Sequence, residues 1–252
     1  GGERWFQANY NLSHLQSELT RKTASGSHEF KCGVSYAPFR TVFDTKILDR
    51  LFSGGEITDI FDSGTRLTAT RAYYDSTSYY DFLFVSDRWQ VLSRLMLESG
   101  LRYDYSDLNR RSKLSPRLAI VYGLTGDLAL RVSSGYFYQM PEIQDFIPAY
   151  GGNEQLDYRL AKHYILGMEQ EFPYNLRMKL EAYYKDYDNL ISIDPATRQK
   201  TNQGDGNSQG VELFLEKQIY RKVFGWMSYT YSISRRQEYR DKKMYPFEHD
   251  RT

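Results

Sequence analysis

Between residues 128 and 139 the chain reads LALRVSSGYFYQ. Leu128, Leu130 and Val132, then Tyr136 and Tyr138, fall in one phase, and Arg131, Ser133, Gly135 and Gln139 in the other. Side chains repeat every two residues along a strand, so this pattern predicts one face that passes from aliphatic to aromatic and a second that is polar. The alternation recurs where Met178, Leu180, Ala182 and Tyr184 oppose Arg177, Lys179, Glu181, Tyr183 and Lys185. Ten strands follow from such runs, at 4–19, 28–37, 79–87, 91–104, 115–124, 128–139, 158–172, 175–188, 210–217 and 223–235. Many reach the roughly 9–11 residues that a tilted strand needs to cross a bilayer, whereas strands of soluble sheets average about 5–6. A sandwich would bury the apolar set in its core; a membrane barrel would set it against lipid, with the polar set in the lumen. Alternation alone fits both.

The connections separate the two readings better. Short links are expected near Asp87 to Gln90, Thr125 to Asp127, Pro173 to Asn175 and Lys217 to Lys222, with longer ones at 38–78, 105–114, 140–157, 189–209 and from 236 onwards. Short turns on one side and long loops on the other are the habit of bacterial outer-membrane barrels. The scheme also requires a turn from Thr20 to Ser27 on the short side. Segment 38–78 is too long for a structureless loop. It holds Ile57, Ile60 and Phe61, then Arg66, Thr68 and Thr70 alternating with Leu67, Ala69 and Arg71. Strand extensions or a small hairpin above the membrane are expected there, with a further pair of spanning strands as the alternative. Tyr103, Tyr105, Tyr136 to Tyr138, Tyr183, Tyr184, Tyr187, Tyr229 and Tyr231 gather near strand ends, which suits a membrane-interface girdle and also ordinary cross-strand packing.

Composition narrows the class. Lys plus Arg number 33 and Asp plus Glu 32 in 252 residues, a net charge of +1 without blocks of either sign, so no nucleic-acid partner is implied. Twenty-three Tyr, 14 Phe and 3 Trp coexist with a mean hydropathy of -0.65, as expected of strands with one buried and one wet face. No apolar run approaches 18 residues, which excludes a transmembrane helix but not a barrel. The single Cys32 excludes an intrachain disulfide and a cysteine zinc cluster, and is expected on an apolar strand face. The opening GGERWF lacks the regions of a signal peptide, so export cannot be read from it.

Catalytic chemistry finds little support. His14, His28, His163 and His249 form no metal-binding spacing, and Asp186 with Asp188 or Glu169 with Glu171 are expected to be solvated same-face pairs. Asp205 and Asn207 lack the rest of a calcium loop, Gly54, Gly55, Gly151 and Gly152 lack a phosphate-loop continuation, and the sequon at Asn11 lies within a strand. No enzyme activity and no cofactor are expected.

Three stretches carry a resemblance: DRWQVLSRLMLESGLRYDY at 87–105, LSPRLAIVYGLTGDLALRVSSGYFYQMPEI at 114–143 and GDGNSQGVELFLEKQ at 204–218. In order and spacing they resemble successive hairpins from the C-terminal half of a TonB-dependent outer-membrane receptor barrel, from about Asp81 onwards. Asp87, Arg88 and Trp89 match the family's residues where one strand turns to the next. Ser115, Pro116, Arg117 and Leu118 match the opening of a strand, Gly210, Val211 and Glu212 the entry to a late one, and FEHDRT at 247–252 the start of a further pair.

The resemblance implies an all-β fold, an antiparallel transmembrane β-barrel segment that is incomplete in this chain and spans residues 1–252. An N-terminal plug and the closing strands are not seen, and the chain is expected to be an internal part of a larger barrel. The implied function is uptake of a scarce solute such as a siderophore, cobalamin or a larger organic nutrient across the bacterial outer membrane. The implied partners are the plug, the TonB complex acting through it, outer-membrane lipid, the solute, and a surface lipoprotein as an open further partner. Ligand-facing candidates lie in loop 140–157: Gln144, Asn153 and Gln155 for hydrogen bonding, Phe146 and Tyr150 for contact area. Arg131, Arg177, Lys179 and Glu181 are candidates for lumen ion pairs that accommodate the plug, or for guiding a charged solute. An outer-membrane porin or adhesin, and a soluble carbohydrate-binding β-domain, are the alternatives.

Overall fold

The computed structural model describes residues 6–12, 15–49, 68–147, 151–220, 223–238 and 243–246. The alternating runs become strands β1 (Phe6–Leu12), β2 (Leu15–Lys22), β3 (His28–Asp49), β4 (Thr68–Leu92), β5 (Leu95–Ser106), β6 (Arg111–Gly123) and β7 (Leu128–Gln139). A single helical turn, α1 (Ile143–Phe146), precedes β8 (Arg159–Phe172), β9 (Leu176–Ile193), β10 (Lys200–Tyr220), β11 (Val223–Gln237) and β12 (Tyr245–Pro246). All belong to one antiparallel sheet in the order β1-β3-β4-β5-β6-β7-β8-β9-β10-β11-β12, with β2 also paired to β3. β1 pairs with Phe39 to Thr45 of β3 and β2 with Glu29 to Tyr36, so they follow one another along the same edge. The expected strand 4–19 is thus one sheet position in two segments. Among the described residues no pairing joins β12 back to β1 or β2, so the sheet is an unclosed up-and-down wall.

Three expectations move. The expected link at Asp87 to Gln90 lies inside β4, where Asp87, Arg88 and Trp89 pair with both β3 and β5, and the turn falls at 93–94. Polar residues at a strand end look like turn punctuation, but Arg88 bonds Glu98 and Trp89 stacks on His28. Ser115 and Gly210 likewise lie within β6 and β10, not at their starts. The third change is length. Segment 38–78 is in large part strand extension, with one β3–β4 ladder continuing from Ala37↔Tyr80 to Asp49↔Thr68; Ile57, Ile60 and Phe61 lie outside the described residues. Link 189–209 shrinks in the same way, and β2 continues to Lys22, which shortens the Thr20 to Ser27 turn to 23–27. The β8–β9 turn follows from its sequence: Tyr174 and Asn175 both have positive φ, 65° and 61°, as a tight hairpin twisted like its strands requires.

Register sorts side chains onto two faces. Val85, Leu101, Pro116 and Leu118 share one with Val132, Leu166, Ala182 and Val211; Arg88, Glu98, Arg117, Arg131, Glu169 and Lys179 share the other. The apolar face is uncovered: Val132 is 54% exposed and Leu166 56%. A sandwich would have packed these residues against a second sheet; here they have only lipid to meet. Cys32 lies on this exposed face, between Leu19 and Val85.

Aromatic and ionic groups bound the band. At one edge Tyr79 lies beside Tyr36 and Tyr105; at the other His28 stacks on Phe30 and Trp89 and bonds Asp87 at 2.8 Å. Tyr79 to Trp89 is about 33 Å along the strand at roughly 3.3 Å per residue, or about 25 Å after a 40° tilt, the height of an outer-membrane apolar band. On β8 and β9 the Tyr164–Tyr184 pair sits just inside Lys162, whose ammonium meets Asp186 at 3.4 Å and Asp188 at 2.5 Å. That satisfies the expected carboxylate pair outside the hydrocarbon. Leu166→Arg, at mid-band, is expected to lower unfolding stability in lipid vesicles by about 2–4 kcal/mol and Leu92→Arg, beside the short turn, by about 0–1 kcal/mol; urea titration of the full-length protein checks the difference.

Candidate functional site

On the long-loop side, the connection from β7 to β8 is built as a cap. Its helical turn is closed reciprocally: the Glu142 N–H donates to Asp145 Oδ2 at 2.9 Å, and the Asp145 N–H to the Glu142 carbonyl at 2.8 Å. Asp145 Oδ1 accepts from Lys200 Nζ at 2.8 Å, the Lys200 N–H donates to the Gly151 carbonyl at 2.7 Å, and Asn153 Nδ2 donates to the Lys200 carbonyl at 3.0 Å. The start of β10 is therefore gripped at three points. Asn202 holds the other end, accepting from the Asp157 N–H at 2.6 Å and donating to the carbonyls of Asp157 and Asn189. Asp157 Oδ2 takes Lys113 Nζ at 2.8 Å, and Asn109 Nδ2 reaches the Leu156 carbonyl at 3.2 Å.

Beneath this frame Phe146, Ile147, Leu156 and Tyr158 are at most 3% exposed, and with Leu160 they make up nearly all of the buried apolar core among the described residues. Burial pushes the Tyr158 phenol above its ordinary value, so it enters as a neutral ring. The adjoining β9–β10 link is ordered by Asp194, whose carboxylate accepts the Ala196 and Thr197 N–H groups at 2.8 and 3.3 Å; those bonds hold its pKa below the usual range. A depressed folded-state pKa contributes stability above the unfolded value, near 3.9, that is lost as pH falls through the folded one. Amide exchange at Ala196 and Thr197 is expected to keep its protection at pH 6 and lose it only as the pH falls below the ordinary carboxylate range, and Asp194→Ala to lack it throughout.

Below the cap, the inner face pairs most of its charges. Glu98 receives Arg88 Nε at 2.9 Å and Arg131 Nη2 at 2.7 Å; Glu169 receives Arg177 Nε at 2.6 Å, with Lys179 at 3.7 Å. Asp104 takes Arg102 at 2.8 Å and the Tyr80 hydroxyl, while Arg102 lies 3.7 Å from the Phe82 ring centre. A hollow of about 390 Å³ opens on this wall beside Lys31, Arg88, Glu98, Arg117, Arg131 and Phe137. Among the described residues no group of three or more His, Cys, Asp or Glu side chains gathers to hold a metal ion, and no helix is long and apolar enough to cross a membrane.

The structure separates the sequence-predicted candidates. Gln144 and Gln155 are exposed on the cap. Phe146 is 2% exposed beneath it and Asn153 spends its side chain on Lys200 and the Gln155 N–H, so both brace the loop. Tyr150 lies outside the described residues. Arg131, Arg177, Lys179 and Glu181 all stand on the inner face, the first three in the ion pairs above and Glu181 between Gly167 and Glu212 in register. Sequence reasoning missed Lys200, Asn202 and Asp145, because the bonds that join them across the cap, Lys200 to Asp145 and Asn202 to Asp157, span 45 or more residues, and it placed Arg117 only in a strand-opening motif.

Comparison with known proteins gives this wall its place. Residues 1–248 match the family model described as TonB dependent receptor-like, beta-barrel. No curated protein matches the chain. Among solved structures, the ferric enterobactin receptor of Pseudomonas aeruginosa is 18% identical with a TM-score of 0.64, over 91% of this chain and 35% of that one. The outer membrane transporter YddB of Escherichia coli is 14% identical at 0.64, over 91% and 34%. The siderophore receptor PirA of Pseudomonas aeruginosa is 17% identical at 0.64, over 96% and 44%. The chain thus spans between a third and a half of the length of these receptors, and at such identities the likeness speaks for the fold. With the family model covering nearly every residue, the chain belongs to the TonB-dependent receptor β-barrel family, a non-enzymatic receptor family of the bacterial outer membrane.

Proposed function

We propose that the chain forms roughly half of the wall of a receptor that takes up a scarce solute across the outer membrane, driven by TonB through a plug that fills the lumen. The observation that carries this is the match of residues 1–248 to the receptor barrel family, joined to a wall with a bare apolar outside and a charged inside. The wall is rigid because interstrand hydrogen bonds satisfy the backbone where water is absent. Solute meets it first at the cap, where Gln144 and Gln155 are exposed on a loop anchored by the buried Phe146 and Leu156, the Gln144 carboxamide donating to Glu142 Oε2 at 2.7 Å. The solute class is a siderophore, cobalamin or a larger organic nutrient; the similar structures include siderophore receptors and a peptide importer, RagAB.

The test is uptake by cells whose only copy of the receptor is the full-length protein, offered a panel of ferric chelates, cobalamin and oligopeptides. Energy-dependent uptake of one class, abolished when TonB is removed, supports the reading; passive size-limited flux that survives removal supports a porin instead. Once a solute is found, Gln144→Ala and Gln155→Ala are each expected to weaken binding about threefold to tenfold, the worth of one hydrogen bond, in a direct titration with the purified receptor.

A further inference from the structure

Across the middle of the inner wall, Arg117, Gly135, His163 and Lys185 are successive register partners on β6, β7, β8 and β9. No carboxylate stands in this row. The glycine makes room for the arginine: a Cβ at Gly135 would lie 3.0 Å from Arg117 Cγ. The guanidinium is held 4.4 Å from the Phe137 ring centre, and the same ring stacks on His163 at 4.3 Å. Lys185 Nζ lies 4.7 Å from the Tyr183 ring centre. Arg88, Arg102, Arg131, Arg177 and Lys179 each meet a carboxylate, yet among the described residues none lies within 4 Å of Arg117 or Lys185. An aromatic face compensates a cation that loses its water far less than a carboxylate does.

We infer that this row is a docking surface for an acidic segment of the domain filling the lumen, which presents two carboxylates, one to Arg117 and one to Lys185. The inference rests on the proposed plugged receptor. Three strand spacings separate the two cations, which sets the carboxylates about 14 Å apart. The lumen of the largest such transporters is occupied by a plug, so a mid-wall cation there faces polypeptide and is stripped of water. Its position also argues against first contact with solute, which meets the cap nearer the mouth. A side chain fixed between a glycine gap and an aromatic ring is oriented beforehand, as a permanent contact requires.

The experiment uses the full-length receptor in planar bilayers, reading conductance against urea as the plug loosens, with heat-modifiable migration of the barrel as the folding control. Arg117→Glu and Lys185→Glu are expected to raise conductance at intermediate urea on the order of tenfold, and Arg117→Gln and Lys185→Gln by less. A Glu→Lys or Asp→Lys change in the plug is expected to restore Arg117→Glu. The glutamine variants keep the test open where charge reversal prevents barrel assembly. Unchanged conductance in a folded Arg117→Gln and Lys185→Gln double variant overturns the inference. Weaker solute binding with unchanged conductance also overturns it, assigning the row to an anionic solute. A full-length protein without a lumen-filling domain instead defeats the proposed function, and the inference with it.

Discussion

Replacing Lys200 by Met should release the cap. The Lys200–Asp145 pair is largely shielded, at 18% and 12% side-chain exposure, and removing the ammonium leaves a carboxylate whose other oxygen is already committed to the Glu142 N–H. Breaking a buried pair from one side costs about 3–5 kcal/mol, because the remaining charge is stranded. Amide protection over 143–147 and 151–158 should fall roughly 10²- to 10³-fold in the full-length protein, at about tenfold per 1.4 kcal/mol. Protection in β5 and β6 should hold. Asp145→Asn added to Lys200→Met should recover most of the loss, since an amide oxygen still accepts from Glu142. An unchanged cap in Lys200→Met would mean that the pair behaves like an exposed ion pair, worth about 0–1 kcal/mol.

Gly152→Ala is expected to be at least as severe, for a steric reason. A Cβ there would lie 2.4 Å from the Ile147 carbonyl oxygen and 2.5 Å from its nitrogen, across the turn closed by the Gly152 N–H on that oxygen at 3.0 Å. Both obstacles are backbone, so no rotamer relieves them, and the turn has to open. Phe146, Ile147 and Leu156 then lose their cover, which places the change in the rare class above about 4 kcal/mol. Limited proteolysis should cut the variant within 140–158 while the barrel keeps its heat-modifiable migration, and solute binding should fall with the cap. Gly126→Ala, where a Cβ meets nothing within 4 Å, is the control.

These two positions show where the sequence stops being legible. The wall was readable because a strand's period of two is local: Met178, Leu180 and Ala182 announce one face against Arg177, Lys179 and Glu181 without knowledge of their neighbours. The cap was not, because what orders it is distant in sequence. Phe146 in a polar loop reads as contact surface, yet it is 2% exposed once the loop is tied to β10, and Asn153 reads as a free carboxamide until it donates to the Lys200 carbonyl at the start of β10. Strand ends were misplaced for a related reason: Asp87 and Arg88 are polar at a membrane interface, where the chain continues straight, and composition cannot separate interface from turn. Arg117 escaped notice because what sets it apart is an aromatic neighbour with no carboxylate within 4 Å among the described residues, and neighbours across strands are assigned by register.

The central claim is a two-faced wall with lipid outside and an aqueous or protein-filled lumen inside. It is tested most directly by placing single nitroxide labels at each position of β7, from Leu128 to Gln139, in the full-length protein in outer-membrane lipid with Cys32 replaced. Collision with lipid-dissolved oxygen should peak at 130, 132 and 134 and dip at 131, 133 and 135, where water-soluble nickel chelate or plug contact should dominate, a period of two along the strand. Labels at 130, 132 and 134 shielded from oxygen and nickel alike would mean that these residues are packed inside a protein core, and the membrane wall would be contradicted.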